Sequence, residues 1–198
     1  MNNSEASAAL PLIIRPKRFV DNRGWFSETY NEGRLIEIGI HHAFVQDNQS
    51  CSTRAGTLRG LHFQVPPASQ AKLVTVLRGR ILDVAVDIRH GSPTFGRHVS
   101  VMLSPHNGDQ FYVPSGFAHG FLALEDNTVV IYKVSHPYAP EQEFGLRWND
   151  PDLAIAWPID ERDLVISEKD RKLPLVTEFI SPFAYNGRSL VPPSLTQL

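Results

Sequence analysis

The chain has 198 residues, a length that favours one compact domain and is sufficient to bury a sizeable core. Hydrophobic residues make up 42% of the chain and charged residues 20%, as in an ordinary soluble globular protein. The formal net charge of −2 gives no sign of a nucleic-acid-binding or membrane-binding surface, so an anionic substrate would need a local cluster of basic side chains.

The single cysteine, Cys51, excludes an intramolecular disulfide and fits a reducing compartment. It lies in a polar stretch without an obvious base beside it, so we interpret it as a thiol without a catalytic role rather than as a nucleophile. The first ten residues have neither a basic region nor an apolar run, and no stretch approaches the roughly 18 apolar residues of a membrane span. We therefore expect a cytoplasmic protein without a signal peptide.

Short segments separated by glycine and proline run through the chain, which is typical of an all-β protein. One short helix is predicted at Asn31–Ile38 and a second around Ser167–Lys172. Between them the pattern predicts six strands: Leu73–Arg78, Arg80–Ile88, Val99–Leu103, Gln110–Val113, Gly120–Leu124 and Val129–Val134. In the second of these, alternation puts one set of residues on one face (Leu82, Val84, Val86, Ile88) and another set on the opposite face (Ile81, Asp83, Ala85, Asp87). Strands at this spacing predict a sandwich, a jelly roll or a barrel.

One spaced motif is more specific about the fold. Gly108, Pro114, Gly116 and His119 match the second motif of the cupin family, G-x5-P-x-G-x2-H. The glycines and the proline of that motif form a hairpin that presents its histidine into a barrel. The asparagine that ends the motif is replaced by Ala123. The spacing predicts a cupin-like frame.

The first cupin motif is present only in altered form. Gly56 and His62 keep its glycine and first histidine, but Gln64 takes the place of the second histidine. An approximate alignment on the following Gly79 puts Lys72 where the motif has a glutamate. A divalent metal needs several imidazole, carboxylate or thiolate ligands, and an ammonium would place positive charge where the cation should sit. The sequence therefore predicts a cavity that is used for chemistry without a metal.

These features together predict one all-β domain, a cupin-like jelly roll (double-stranded β-helix) with a few short peripheral helices. We place this domain at residues 1–184. The remaining residues, 185–198, are interpreted as a peripheral C-terminal extension.

The groups left in such a cavity suit proton transfer next to a carbonyl. His62 can act as a general base near neutral pH, and the Lys72 ammonium can stabilise a developing oxyanion. Tyr132 shares a strand face with Val130 and can give or take a proton if it points inward. A donor and an acceptor on opposite faces of the substrate would invert a carbon centre, which is epimerisation.

The residues alone leave structural alternatives open. On the strand pattern alone, Tyr132 is better explained as a core tyrosine with a satisfied hydroxyl. Similarly, His62 could be a partly buried histidine, and His119 a remnant of the cupin hairpin. The other histidines lie in loops or beside turns, and we interpret them as surface residues: His41, His42, His90, His98, His106 and His136.

Arg59 and His62 present a conflict, because strict alternation puts them on opposite faces of one strand. If both contact one ligand, then either the strand contains a bulge or Arg59 serves the site of a partner subunit.

With these residues in place, the chain resembles the dTDP-4-dehydrorhamnose 3,5-epimerase family from about Phe19 to Pro174. The resemblance rests on long ordered motifs, so a chance match is improbable. They are DNRGWFSETYNE, FVQDNQS, TLRGLHFQ, KLVTVLRGRILDVAVDIRHGSPTFG, VPSGFAHGF, YKVSHPYAPEQE, RWNDPDLAIAWPI and SEKDRKLP.

The resemblance implies a division of catalytic roles. His62 would remove the C3 and C5 protons that flank the C4 ketone of a nucleotide-linked sugar, and Asp170 would orient and polarise it. Lys72 would stabilise the enolate oxygen, and Tyr132 would return the proton from the opposite face. From the residues alone, Ser167 and Asp170 would instead form a helix-capping pattern.

The resemblance also implies a set of binding residues. Arg23, Arg59 and Lys169 would hold the diphosphate, Tyr138 would stack on thymine, and His119 would contact the substrate. The remaining residues would bind the nucleotide and the sugar: Glu28, Gln46, Asn48 and Glu143, with Asp47 in the same stretch. The family further implies a homodimer that uses no cofactor.

The expected reaction is conversion of dTDP-4-dehydro-6-deoxy-D-glucose to dTDP-4-dehydro-L-rhamnose, a step of dTDP-L-rhamnose biosynthesis. A related epimerase acting at C3 or C5 only would keep the same His62, Lys72 and Tyr132. A metal-dependent cupin oxygenase is disfavoured by Gln64 and Lys72. A non-catalytic sugar-nucleotide-binding module would need the diphosphate clamp but not His62, Tyr132 or Asp170.

Overall fold

The computed structural model describes residues 9–198. Residues 1–8, which include most of the stretch that lacks signal-peptide features, lie outside the described residues. No helix within 9–198 is long and apolar enough to cross a membrane. The helices are α1 (Glu32–Glu37) and α2 (Glu168–Arg171). The strands are β1 (Leu12–Arg15), β2 (Arg18–Asp21), β3 (Gly24–Ser27), β4 (Gln46–Ser52), β5 (Leu58–Gln64), β6 (Lys72–Arg78), β7 (Ile81–Asp87), β8 (His98–Leu103), β9 (Gln110–Val113), β10 (Phe117–Ala123), β11 (Thr128–Val134), β12 (Glu143–Gly145) and β13 (Leu195–Gln197).

The strands form two main sheets, and the expected all-β jelly roll is confirmed. One sheet has six strands in the order β13-β1-β9-β6-β11-β4, and the other has five in the order β12-β5-β10-β7-β8. All strand pairs are antiparallel except β1 with β13. Strands β2 and β3 form a separate two-stranded hairpin.

The main core fills the space between the two sheets. Alternate residues of each strand point inward, because successive side chains of a strand lie on opposite faces. The six-stranded sheet contributes Val74, Val76, Phe111, Val113 and Val130, and the five-stranded sheet contributes Ile81, Ala85, Val101, Leu103, Phe117 and Phe121.

The outer faces are covered unequally. On the five-stranded sheet, Val84 and Val86 are buried beneath the chain that follows β12, including Leu153 and Phe183. Helix α1 buries Leu35 against one end of the six-stranded sheet. The middle of that sheet's outer face is more open, and Leu77 is exposed there.

Every predicted element exists, with boundaries that differ by a few residues. The strand predicted at Gly120–Leu124 starts earlier, as β10. The predicted alternation of strand Arg80–Ile88 is confirmed, but both of its faces are buried. The prediction of surface positions is wrong for several histidines, since His42 and His98 are half-buried. His98 contacts the carbonyl oxygen of Leu153 at 3.1 Å, so a distant loop covers it.

The other histidines divide in the same way. His41 and His136 are also half-buried, whereas His90 and His106 are exposed as predicted. The C-terminal residues lie against the domain, because β13 pairs with β1 and Leu190 packs on the main core.

Candidate active site

A cavity of about 550 Å³ opens between the two sheets. A second chamber of about 200 Å³ adjoins it and shares three of its lining residues, His62, Lys72 and Tyr132. The larger chamber holds many of the predicted site residues: Arg59, His62, Lys72, His119, Tyr132, Lys169 and Asp170. The smaller one adds Gln46, Asn48, Tyr138 and Glu143.

A bulge in β5 resolves the conflict between Arg59 and His62. Against β10, His62 pairs with His119 and Arg59 pairs with Phe121, so β5 carries one extra residue between these positions. Gly60 occupies the bulge with φ +124°, and a Cβ there would lie 2.5 Å from the Cα of Gly120. Of the two explanations, the structure has the bulge, and both side chains line one cavity.

His62 forms a pair with a carboxylate from the other end of the sequence. Its Nε2 lies 2.8 Å from Oδ1 of Asp170, and the Asp170 side chain is buried. A carboxylate oxygen accepts hydrogen bonds, so Nε2 carries the proton in neutral His62. Nδ1 is then the nitrogen with a free lone pair, and it is the one that can act as a base.

Asp170 is held in place by the start of α2. The hydroxyl of Ser167 accepts a hydrogen bond from the Asp170 backbone N–H at 3.1 Å, which is the predicted helix cap. The backbone N–H of Gly60 donates to the Asp170 carboxylate at 3.2 Å. Burial alone would raise the pKa of Asp170, but the hydrogen bonds from His62, Gly60 and Ser167 lower it below its usual value. The capping and pairing interpretations are therefore both correct.

Lys72 is a nearly buried ammonium on β6, 8% exposed, whose Nζ donates to the carbonyl oxygen of His62 at 3.1 Å. Burial lowers its pKa to about 8, while the charges of Asp83 and Glu143 act in the opposite direction. At neutral pH the group is still mostly protonated and can stabilise an oxyanion.

His119 is presented by the predicted hairpin. Gly116 precedes β10 with φ +89°, and a Cβ there would lie 2.8 Å from the Arg89 side chain. The His119 ring is buried, and its Nε2 lies 2.6 Å from Oδ1 of Asp83. Burial, together with the positive charges of Lys72 and His62, lowers the pKa of His119 in spite of Asp83.

Tyr132 faces His62 from the opposite sheet. It lies on β11 of the six-stranded sheet, whereas His62 lies on β5 of the five-stranded sheet. Burial raises the pKa of Tyr132, and Glu143 acts in the same direction while Arg59 opposes it. The hydroxyl is therefore protonated at neutral pH and can serve as an acid.

The smaller chamber is lined by an ion-pair network. Glu143 accepts hydrogen bonds from the Tyr138 hydroxyl at 2.8 Å and from Nζ of Lys169. Burial would raise the pKa of Glu143, but the bonds from Lys169 and Tyr138 lower it. Gln46 and Asn48 alternate along β4 and bond each other at 2.8 Å. An exposed aromatic ring thus stands beside amide groups and a lysine.

Three predicted site residues are not among those lining either chamber. Asp47 pairs with Lys133 on the other face of β4. Arg23 lies in the turn of the β2–β3 hairpin, where it pairs with Asp21. Glu28 pairs with Arg34 at 3.2 Å.

Sequence reasoning did not single out two residues of this region. Ser50 lines the larger chamber, and its buried hydroxyl has no hydrogen-bond partner among residues 9–198. Asp83 lies just behind the chamber, bonded to His119. The one available signal was the carboxylate at position 83, which lies between Ile81 and Ala85 on a strand face that also carries Asp87. Ser50 carried no signal in its polar stretch.

The part of the chain from residue 9 onward has no group of three or more His, Cys, Asp or Glu side chains arranged to hold a metal ion. Both cavity histidines are instead paired with carboxylates, His62 with Asp170 and His119 with Asp83.

Known proteins match this chain over most of its length. The family model for dTDP-4-dehydrorhamnose 3,5-epimerase matches residues 9–178. The enzyme of that name from Methanothermobacter thermautotrophicus is 52% identical over 161 residues, which is 81% of this chain and 86% of that protein. A Bacillus anthracis structure with TDP and PPi bound is 48% identical with a TM-score of 0.81, covering 83% of this chain and 93% of that one.

A Legionella pneumophila structure in complex with dTDP-4-keto-L-rhamnose is also similar. It is 46% identical with a TM-score of 0.78, covering 84% of this chain and 93% of that one. The matches span the jelly roll together with the paired His62 and Asp170, the buried Lys72 and the opposed Tyr132. This chain therefore belongs to the dTDP-4-dehydrorhamnose 3,5-epimerase family, whose members are isomerases acting on carbohydrates.

Proposed function

We propose that this chain epimerises dTDP-4-dehydro-6-deoxy-D-glucose at C3 and C5 to give dTDP-4-dehydro-L-rhamnose. One observation carries the proposal: His62 and Tyr132 face one cavity from opposing sheets, with Lys72 lining the same cavity. A sugar ring between the sheets would present one face to each residue. Family membership and the similarity to a structure with bound dTDP-4-keto-L-rhamnose support this choice of substrate.

Proton removal would fall to His62. Its Nδ1 takes the proton from the carbon next to the C4 ketone, because Nε2 is committed to Asp170. The Asp170 carboxylate holds the ring orientation and stabilises the imidazolium that forms.

Lys72 would stabilise the intermediate. Loss of a proton from C3 or C5 moves negative charge onto the C4 oxygen, giving an enolate. An ammonium as buried as that of Lys72 stabilises this charge more than it would in bulk solvent. The charge of Asp83 and that of Glu143 help to keep Lys72 protonated despite its burial.

Reprotonation would come from Tyr132. Its raised pKa keeps the hydroxyl protonated at neutral pH. Delivery of this proton to the carbon from the face opposite to His62 inverts the centre. Before a second inversion, His62 gives its proton to solvent and Tyr132 takes one up from solvent. The same pair can then act at the other carbon, since both C3 and C5 flank the C4 carbonyl.

The nucleotide part would be held by the rest of the cavity. Arg59 and Lys169 are the cations of the larger chamber available to the diphosphate, and charge-assisted bonds to phosphate are strong. Tyr138 offers a half-exposed ring for stacking on the base. Gln46, Asn48 and Glu143 supply polar contacts beside it. The Bacillus anthracis structure with TDP and PPi bound supports a site for a nucleoside diphosphate.

Turnover in heavy water tests the reaction itself. We expect deuterium at both C3 and C5 of the product, because each carbon is deprotonated and then reprotonated by an exchangeable group. NMR of the product, trapped by the reductase that consumes it, measures both positions. Exchange at one carbon alone would favour the mono-epimerase alternative.

The proposal includes a homodimer. The β2–β3 hairpin carries exposed apolar residues, among them Val20 at 79% and Phe26 at 68% exposure. The outer face of the six-stranded sheet is also open, with Leu77 exposed beside a recess of about 190 Å³ lined partly by Ile131. Apolar surfaces of this kind are typical of subunit interfaces. Crossing of the hairpin to a partner would bring Arg23 to the partner's cavity.

Mixing two inactive variants tests this arrangement. Arg23→Ala and His62→Ala subunits, exchanged by mild unfolding and refolding, should regain about a quarter of wild-type activity if Arg23 serves the partner's cavity. Half of the dimers would be mixed, and each mixed dimer would contain one intact site. Activity of the mixture no higher than that of its components would assign Arg23 to its own subunit or to neither.

The proposal also includes a cytoplasmic enzyme that uses neither a metal nor a cofactor. The absence of a metal from this proposal is supported by Lys72, whose ammonium lies among the histidines of the cavity, where a metal cation would otherwise bind.

A further inference from the structure

Asp83 is a fully buried carboxylate behind the cavity, and its surroundings satisfy only one of its two oxygens. Its side chain is 0% exposed, and its Oδ1 contacts His119 Nε2 at 2.6 Å. Its Oδ2 has no hydrogen-bond partner among residues 9–198. Burial of a charged group with so few hydrogen bonds is costly, so a purely structural role is a poor explanation.

Asp87 on the same strand shows what a structural carboxylate looks like in this fold. Arg89 donates two side-chain bonds to it, at 2.9 and 2.7 Å. Ser92 and Thr94 donate two more, at 2.7 and 2.8 Å. Both oxygens of Asp87 are therefore satisfied, and nothing in this cluster lines the cavity. Asp83 differs in both respects, since its one bonding partner is a cavity residue.

The contact with Asp83 determines which nitrogen of His119 is protonated. A carboxylate oxygen accepts, so Nε2 of His119 carries the proton and Nδ1 keeps its lone pair. Because burial and the neighbouring charges lower the pKa of His119, the ring stays neutral at neutral pH. The cavity is thus lined by a neutral imidazole with a fixed acceptor.

Asp83 also acts on Lys72. Apart from burial, its charge has the largest effect on the Lys72 pKa, and it favours the ammonium. Glu143, on β12, adds a smaller effect of the same sign. The other titratable groups that line the larger chamber with Lys72 come from four elements: Arg59 and His62 on β5, His119 on β10, Tyr132 on β11, and Lys169 and Asp170 on α2.

We propose that Asp83 is a positioning residue of this site, which fixes the tautomer of His119 and holds Lys72 in its charged form. This inference rests on the proposed function only for its kinetic consequence. The tautomer and the ionisation state are properties of the free protein.

The first test reads the tautomer of His119 without substrate. Two-bond ¹H–¹⁵N correlation spectra of histidine-labelled protein distinguish Nε2–H from Nδ1–H imidazole, and His119→Gln assigns the signal. We expect the Nε2–H form in the wild-type protein from about pH 6 to 9. Finding the Nδ1–H form would overturn the inference, even if no variant of Asp83 can be folded.

The second test is Asp83→Asn, which removes the charge with little change of shape. The Lys72 pKa should fall further, so the basic limb of the kcat–pH profile, near pH 8 in the wild type, should move down by about one unit. At pH 9, above both pKa values, we expect kcat to fall about tenfold while KM stays within about threefold. The His119 signal should shift toward Nδ1–H, since an amide N–H can donate to Nε2.

Asp109→Asn is the matched control. Asp109 is a largely buried carboxylate paired with Arg15 at 2.6 Å, and it does not line the cavity. We expect Asp109→Asn to lower the melting temperature without changing the His119 tautomer or the basic limb of the kcat–pH profile.

The inference would be refuted if Asp83→Asn changed neither the basic limb nor the His119 tautomer. That result would leave the proposed epimerisation unaffected. If the wild-type protein did not catalyse the proposed reaction but its His119 were in the Nε2–H form, the proposed function would be refuted. The effect of Asp83 on His119 would still stand.

Discussion

Replacement of His62 by alanine is expected to lower kcat by on the order of 10²–10⁴-fold while dTDP binding stays within about threefold. The side chain supplies the base, Nδ1, and its Nε2 contact with Asp170 is lost with it. The groups assigned to the nucleotide, including Arg59 and Tyr138, are unchanged. Single-turnover kinetics with the 4-keto sugar measures the first effect, and titration calorimetry with dTDP measures the second.

His106→Ala is the control, because that histidine is exposed and lines neither chamber. It should change neither quantity. Wild-type turnover in His62→Ala would remove this residue from the mechanism. Equal loss of turnover and dTDP binding would instead indicate damage to the cavity as a whole. The expected pattern also separates an enzyme from a sugar-nucleotide-binding module, for which His62 would be dispensable.

Tyr132→Phe is expected to separate proton exchange from inversion. The variant keeps the ring on β11 and loses only the hydroxyl, so His62 can still remove a proton and return one to the same face. Deuterium should therefore enter the substrate in heavy water, while formation of the inverted product falls by on the order of 10²–10⁴-fold. NMR of the recovered substrate and the reductase-coupled assay measure the two quantities.

Tyr185→Phe provides the comparison for a lost tyrosine hydroxyl. Its hydroxyl bonds Ser189 at 3.0 Å in the C-terminal segment, and it lines neither chamber. That variant should keep both exchange and inversion. If Tyr132→Phe lost exchange and inversion to the same degree, Tyr132 would be required for deprotonation, and the assignment as the opposite-face acid would fail.

The strands that follow a simple alternating pattern could be predicted from the sequence. β9 was predicted at its observed bounds, and β6 differs by one residue at its start. β4 was not predicted, because its residues are almost all polar and show no apolar period. It forms a strand through pairing with β11 over seven positions. Tertiary pairing overrides local preference in such segments.

In the candidate site, too, some features follow from the local sequence and others depend on tertiary contacts. The residue types of the proton-transfer set and the cupin spacing around His119 are visible in the sequence. The bulge that turns Arg59 toward His62 is not, since it depends on the close approach of Gly60 to β10. Asp83 was visible only as one of two carboxylates, with Asp87, on one face of its strand. Its contact with His119 depends on the pairing of β7 with β10.

The sequence by itself therefore determined the all-β architecture, the hairpin that presents His119 and the chemical nature of the groups available for proton transfer. These follow from local periodicity, turn residues and spacing, which involve neighbours along the chain. Only the tertiary structure decided which side chains contact or face one another in the site. Asp170 lies 108 positions from His62 and meets it through the docking of α2 beside β5, and Tyr132 opposes His62 because their strands belong to different sheets. Such contacts are set by how the sheets pack, which no local pattern encodes.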